Sequence, residues 1–223
     1  MTKKDALNIV FSCAISYKEN LAGRSLLFVT ADKHKVVRGL EVTFDSSNFL
    51  HMTGFKLSNK EIGANNFLSM CCDKRLSETD FEFAADGTTE MKLRVLPDLV
   101  QKHLSAKMVG DYDMTHPKLY TDKLAGSISA CVGFVRNGGQ GRYVPNTVLE
   151  GDIRKMIKGS TSGILVTYRK YREESQYTEI VYSAKKLSGK QLICQRNTEH
   201  FQYHNIYLTK KGSDFHTVLF FFI

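Results

Sequence analysis

The chain has 223 residues, enough for one domain with an appendage or for two small domains. Hydrophobic residues make up 42% and charged residues 24%, a balance that excludes a disordered chain, a membrane protein, collagen and a coiled coil. The net charge is +8, of which +6 falls in residues 151–223, so we expect any contact with a polyanion to use the C-terminal third.

The first element in chain order has two readings, a secretion signal and a helix. Lys3 and Lys4 precede an apolar run, as they would in a signal peptide, but Asp5 and Asn8 interrupt that run. An amphipathic core helix is favoured, because the apolar residues form one stripe at helical spacing: Leu7, Val10, Phe11, Ala14 and Leu21. The five cysteines include no C-x-x-C pair, and no apolar run approaches the roughly 20 residues of a membrane span. We therefore expect a cytoplasmic protein without disulfides or membrane contact.

Strand-like sequence follows this helix. Ser25–Thr30 and Val36–Phe44 are rich in β-branched and aromatic residues and predict an antiparallel hairpin. Asn48–Gly54 predicts a third strand. Alternation along that strand places three side chains on one face: Phe49, His51 and Thr53.

Two helices are predicted next. Ser58 with Glu61 has the pattern of a capping box and begins a helix over about residues 59–74. Thr88 or Thr89 begins a second helix that extends to Leu104, with a kink or break at its proline, Pro97.

Beyond Ala106 the sequence mostly predicts strands, at Lys107–Tyr112, Lys118–Asp122, Ile128–Arg136, Gly163–Tyr171 and Tyr177–Ser183. Asn137–Gly141 predicts a turn, and Asp152 can cap a short helix that follows an extended stretch. The pattern predicts an α+β fold, with N-terminal helices packed on a twisted antiparallel β-sheet and a short C-terminal extension. The expected divisions are a helix-and-hairpin extension over 1–39, a core over 40–185 and a C-terminal extension over 186–223.

The sequence lacks the nucleophile elbow, the phosphate-binding loop, the dinucleotide-binding glycine motif and the zinc-protease helix motif. His200 and His204 lie four residues apart with Cys194 nearby, but not at zinc-finger spacing, so we expect no metal and no cofactor. What remains is a set of polar residues on predicted strands and tight loops: His51, Thr53, Tyr120, Thr121, Asp122, Lys123, Tyr143, Asn146, Thr147, Arg169 and Lys170.

Such a set suits metal-independent cleavage of RNA. In that reaction a 2′-hydroxyl attacks the neighbouring phosphorus, one group removes its proton, another protonates the leaving oxygen, and cations stabilise the charged transition state. Each residue also has a structural reading. His51 can be a half-buried core histidine, Tyr120 and Tyr143 can pack on the sheet, Lys123 can be an edge-strand charge, and Arg169 with its neighbour can be a solvated strand end.

Four stretches, in this order and spacing, carry a resemblance to a known family: Phe49–Gly54, then Phe81–Phe83 with Asp86–Glu90 and Lys92–Pro97, then Lys118–Gly126, and Tyr143–Leu149 with Asp152–Arg154. They resemble the phage- and mobile-element-associated branch of the barnase–EndoU–colicin–RelE-like nuclease superfamily, over about residues 40 to 170. The resemblance implies N-terminal helices followed by a four-stranded antiparallel sheet. It also implies a metal-independent endoribonuclease that leaves a 2′,3′-cyclic phosphate.

By position in these stretches, the resemblance implies that His51 is the general acid or base and that Lys123 is the phosphate cation. It gives Tyr120 or Thr121 as an orienting hydroxyl and Arg169 as a second cation. The expected catalytic residues are His51, Tyr120, Lys123 and Thr147, and the expected substrate-binding residues are Thr53, Thr121, Tyr143, Asn146, Arg169 and Lys170.

The sequence leaves two functions open. The first is a ribonuclease that acts as a toxin or effector of a phage or mobile element, with an antitoxin or immunity protein as partner. The second is a non-catalytic nucleic-acid-binding or protein-interaction module of a mobile element. In that module, four tyrosines are available for stacking on bases: Tyr168, Tyr171, Tyr177 and Tyr182.

Overall fold

A computed structural model describes residues 1–34, 36–114, 119–137 and 142–185 in full, together with the backbone of residues 190–196, 203–210 and 213–221. Most of the predicted turn at Asn137–Gly141 lies outside the described residues, as do residues 186–189, the start of the expected C-terminal extension.

The N-terminal helix α1 spans Lys3–Asn20 and confirms the predicted amphipathic helix. It begins at a capping box, in which the Thr2 side chain accepts a hydrogen bond from the Asp5 backbone and the Asp5 carboxylate accepts one from the Thr2 backbone. One face of α1 is buried in the core, including Ala6, Leu7, Val10, Cys13, Ala14 and Tyr17.

Three further helices follow: α2 at Asn48–Thr53, α3 at Ala64–Cys72 and α4 at Thr88–Leu99. The predicted third strand is wrong, because Asn48–Thr53 forms α2 and ends at Gly54 with a left-handed φ of 75°. His51 and Thr53 consequently do not share a strand face; Thr53 is buried and His51 is exposed.

The two helices predicted next are present with different starts and ends. Helix α3 begins five residues later than expected, and its N-cap is Gly63, so Ser58 does not form the predicted capping box. Helix α4 ends at Leu99, and Pro97 lies within its final turn.

The strands of the main sheet are β1 at Arg24–Ala31, β2 at Val37–Phe44, β5 at Met108–Asp111, β6 at Lys123–Gly126, β7 at Ala130–Arg136, β8 at Tyr143–Glu150, β9 at Ser162–Tyr171 and β10 at Glu179–Ser183. A separate two-stranded ladder joins β3 at Lys56–Leu57 to β4 at Phe81–Glu82. The strand predicted at Lys118–Asp122 is wrong for its described part, since β6 begins only at Lys123.

The main sheet has eight strands in the order β1-β2-β8-β7-β6-β5-β9-β10, and β1 also pairs with β9. The hydrogen-bonded ladder therefore returns to its first strand, and β10 pairs with the part of β9 that follows its pairing with β5. Pairing is antiparallel except between β2 and β8, which meet in parallel at Val42 and Tyr143. The sheet is thus mostly antiparallel, as expected, but larger than four strands.

Helices cover one face of this sheet. The rings of Phe44 on β2 and Phe134 on β7 meet edge to face at 6.2 Å, and Phe49 of α2 belongs to the same buried cluster. Strand β2 crosses the expected division at residues 39 and 40, and α1 packs into the common core. The first 39 residues therefore supply a helix and a strand to the main fold.

After the main sheet, β11 at Lys190–Arg196, β12 at Tyr203–Lys210 and β13 at Ser213–Phe221 form a three-stranded antiparallel sheet. Among the described residues, no helix combines the length and apolar character of a membrane span.

Candidate functional site

The register of β6, β7 and β8 sorts the predicted site residues between two faces of the sheet. Leu124, Gly133 and Thr147 form one row across the three strands. Lys123 and Phe134 belong to the adjacent row. Because neighbouring residues of a strand point to opposite faces, Lys123 and Thr147 project on opposite sides. The structure therefore separates two residues that the sequence grouped in one catalytic site.

Lys123 lies on the face that carries the helices, since Phe134 opposite it is buried beneath them. On this face the Lys123 ammonium forms an ion pair with Asp111, which is directly opposite it on β5. The Asp111 side chain is 62% exposed, so solvent reaches this pair.

Arg136 is a second cation on the helix-bearing face. It follows Phe134 by two residues on β7 and is exposed. Tyr143 lies directly opposite it on β8, and the Arg136 guanidinium carbon is 5.6 Å from the centre of the Tyr143 ring. Among the described residues Arg136 has no acidic partner within ion-pair distance.

The F-L-H-M-T-G stretch around His51 is largely explained by folding. Phe49 and Met52 are fully buried. The Thr53 hydroxyl donates to the Leu50 carbonyl at 2.8 Å and accepts from the Phe55 N–H at 3.2 Å, which closes the end of α2. Thr53 therefore positions the chain locally.

Gly54 fixes α2 against α4. Its carbonyl accepts a hydrogen bond from the Thr89 hydroxyl at 2.8 Å, and a Cβ at this glycine would lie 2.9 Å from Lys92 Cδ. The Lys92 ammonium donates to the His51 carbonyl at 2.9 Å, and burial lowers the pKa of Lys92. The backbone of His51 is thereby held in place.

The His51 imidazole has no such structural role. It is exposed, and within the described part of the chain it makes no hydrogen bond or ion pair. Helix α2 packs on the helix-bearing face, because Phe49 and Phe134 share one core. His51 is thus carried on the same side of the sheet as Lys123 and Arg136.

A polar cluster connects β8 to the segment that leads into β6. Asn146 is the extra residue of a β-bulge, since Gly133 pairs with Thr147 while Phe134 pairs with Pro145. The Asn146 side-chain amide donates to the Tyr120 carbonyl and its oxygen accepts from the Thr121 hydroxyl at 3.3 Å. Thr121 and Thr147 are buried against Gly133. These polar groups therefore bind mainly to one another.

Arg169 and Lys170 are also engaged inside the protein. Arg169 is 5% exposed, and its guanidinium bonds both Glu179 carboxylate oxygens at 2.7 and 2.6 Å. Lys170 is 3% exposed and lies 5.0 Å from the centre of the Tyr177 ring. The alternative of a solvated strand end is wrong, and neither cation reaches a phosphate without breaking these contacts.

Arg136 is the site residue that the sequence did not single out. The sequence feature that could have identified Arg136 is its position, two residues after Phe134 and directly before the glycine-rich stretch at 137–141. Within the described ranges, no three His, Cys, Asp or Glu side chains lie close enough together to share a metal ion.

Comparison with known families identifies a matching family model. A family model described as phage-Barnase-EndoU-ColicinE5/D-RelE like nuclease4 matches residues 9–186. The match starts within α1 and continues past β10, so it includes the hairpin that the four sequence stretches did not cover. No curated protein and no solved structure matches the chain.

Proposed function

The chain belongs to the phage-Barnase-EndoU-ColicinE5/D-RelE like nuclease4 family, and we propose that it is a metal-independent endoribonuclease. In the proposed reaction the 2′-hydroxyl of one nucleotide attacks the adjacent phosphorus and expels the 5′-oxygen of the next, leaving a 2′,3′-cyclic phosphate and a 5′-hydroxyl. The observation that carries this proposal is the exposed His51 imidazole on the sheet side that also bears Lys123 and Arg136.

The roles follow from the chemistry of these groups. Histidine is the side-chain type that exchanges protons most readily near neutral pH. His51 therefore removes the 2′-hydroxyl proton or protonates the leaving oxygen, and solvent water at this exposed position carries out the other proton transfer. Lys123 and Arg136 bind the phosphate and stabilise the charge that develops on it. In the free protein the exposed Asp111 carboxylate forms an ion pair with Lys123. In the proposed complex the substrate phosphate takes the place of this carboxylate. The Tyr143 ring, 5.6 Å from the Arg136 guanidinium carbon, positions this cation for the phosphate.

The polar cluster on the opposite face acts through positioning. Asn146 and Thr121 hold the segment that precedes Lys123. The Asp122 carboxylate accepts a hydrogen bond from the Arg136 backbone at 2.8 Å, so this segment also fixes the second cation. Thr147 is a packing partner of Gly133 in this proposal rather than a catalytic group.

The test is incubation of the purified protein with end-labelled RNA in EDTA, followed by analysis of the product ends. We expect products with a 2′,3′-cyclic phosphate. His51→Gln should reduce the cleavage rate about 10²- to 10⁴-fold, the usual contribution of a general acid or base, without changing the melting temperature. His34→Gln is the matched control, because His34 is an exposed histidine in the β1–β2 loop and should leave the rate unchanged.

Cleavage that survives in His51→Gln would contradict the assignment of His51. Intact RNA with salt-sensitive binding would instead support the non-catalytic binding module. A toxin or effector role with a cognate antitoxin or immunity protein is part of the same proposal. Expression in bacteria should then arrest growth with the original chain and not with His51→Gln.

A further inference from the structure

Tyr120 presents an aromatic ring that the fold leaves uncovered. Its residue is 81% exposed, the largest exposed fraction among the described large hydrophobic residues. The ring makes no contact with another ring or with a cation among the described side chains. Folding stability therefore gives no reason for an aromatic residue at this position.

The four tyrosines that the sequence offered for base stacking have contacts within the fold. The Tyr171 ring lies 4.1 Å from the Arg24 guanidinium, and Tyr182 is stacked on His103 at 5.4 Å. Tyr168 and Tyr177 are 2% and 4% exposed. Tyr171 is 50% exposed but still contacts Arg24, whereas the Tyr120 ring has no such contact among the described side chains.

The backbone that carries this ring is fixed at several points. The Tyr120 carbonyl accepts from the Asn146 amide, and Thr121 is 2% exposed with its hydroxyl bonded to the same Asn146. Asp122 donates its N–H to the Phe134 carbonyl at 2.8 Å. An exposed ring on a fixed backbone can bind a flat ligand without the cost of ordering a loop.

The same segment connects Tyr120 to the two proposed phosphate cations. Lys123 is three residues beyond Tyr120, which limits their Cα separation to about 10 Å. The Asp122 carboxylate binds the Arg136 backbone at 2.8 Å. A nucleotide whose phosphate contacts these cations has its base within reach of the ring.

We infer that the Tyr120 ring is a stacking platform for a nucleobase of single-stranded RNA, next to the phosphate that the enzyme cleaves. Every base has an aromatic face, so such a platform binds single strands with little sequence preference. The inference rests on the proposed function, and it assigns Tyr120 a binding role through its ring in place of a catalytic role through its hydroxyl.

The test measures binding of a short single-stranded RNA in which 2′-O-methyl groups prevent cleavage. Tyr120→Ala should weaken this binding about 5- to 150-fold, the range for the loss of one stacked base. Tyr120→Phe retains the ring and should bind like the original chain. Tyr171→Ala is the control on a second exposed tyrosine, whose ring contacts Arg24, and it should change binding less than Tyr120→Ala. An abasic strand with the same phosphates should bind the original chain and Tyr120→Ala equally.

Equal binding by Tyr120→Ala and the original chain would overturn the inference. A loss in Tyr120→Phe as large as in Tyr120→Ala would do so too, because it would assign the effect to the hydroxyl. Binding of an uncleavable RNA does not depend on catalysis. A base-dependent loss in Tyr120→Ala with no cleavage activity would therefore refute only the proposed ribonuclease, whereas cleavage that requires His51 without this loss would refute only the stacking role.

Discussion

Gly133 gives the sharpest test of how the sheet positions the site, because it has no room for a methyl group. A Cβ at Gly133 would lie 2.7 Å from Thr147 Cγ2 and 2.9 Å from Thr121 Cγ2. Carbon atoms in good contact lie about 3.5–4.0 Å apart. We therefore expect Gly133→Ala to force two buried threonines to move.

The expected magnitude combines two opposing effects. Overpacking a buried site costs about 1–3 kcal/mol. Replacing glycine by alanine restricts the unfolded chain and returns about 0.4–1 kcal/mol. The net loss in the free energy of unfolding should be about 1–2 kcal/mol, which for a chain of this size lowers the melting temperature by about 2–8 °C. Circular dichroism during heating and urea titration measure both quantities.

Two further variants show whether the threonine methyl is the cause. Thr147→Ser removes the nearer methyl, so the double variant with Gly133→Ala should lose at least about 0.5 kcal/mol less than the sum of the single losses. Gly163→Ala is the control, since a Cβ on this β9 glycine meets nothing within 4 Å. A Gly133→Ala protein as stable as the original, or strictly additive losses in the double variant, would refute the reasoning.

Two other predictions concern charges. The Arg169 guanidinium holds the pKa of the Glu179 carboxyl below its usual range. The pair therefore stabilises the fold at pH values above the ordinary glutamate pKa of about 4.3. This stabilisation is lost as the pH falls through the lower pKa that Glu179 has in the folded protein. Glu179→Gln should therefore lower the urea midpoint at pH 7 and differ less from the original chain at about pH 3; an equal difference at both would contradict this. Asp111→Asn removes the ion-pair partner of Lys123, so uncleavable RNA should bind more tightly. The dependence of its affinity on salt concentration should also become steeper by about one counterion. An unchanged salt dependence would count against Lys123 as a phosphate ligand.

Elements with a long, regular pattern could be predicted from the sequence. The apolar stripe of α1 and the β-branched runs of β1 and β2 each repeat several times, so their periods are unambiguous. Helix α2 is only six residues long, and aromatic and β-branched residues favour a strand there. Its buried residues Phe49, Met52 and Thr53 nevertheless follow the i, i+3, i+4 spacing of a helix, and Gly54 ends it.

The grouping of site residues depended on long-range pairing that a local pattern does not contain. The bulge at Asn146 adds one residue to β8. Asn146 also binds Tyr120, 26 residues earlier in the chain, which fixes the lead into β6. Lys123 and Thr147 are on opposite faces because Lys123 pairs with Phe134 whereas Thr147 pairs with the neighbouring Gly133. The structural roles of Arg169 and Lys170 likewise depend on partners from other elements, including Glu179 and Tyr177.

The pairing of β1 with β9 also sets the order in which a chain made from its N-terminus can fold. The second edge of strand β1, at Arg24–Ala31, can be paired only after residues 163–171 have been synthesised. Until then a nascent chain has two open strand edges, which are prone to associate with other chains. Lys123, Arg136 and Tyr143 are all synthesised before this closing strand. The sheet that holds these residues is therefore closed only late in synthesis, once β9 has been made.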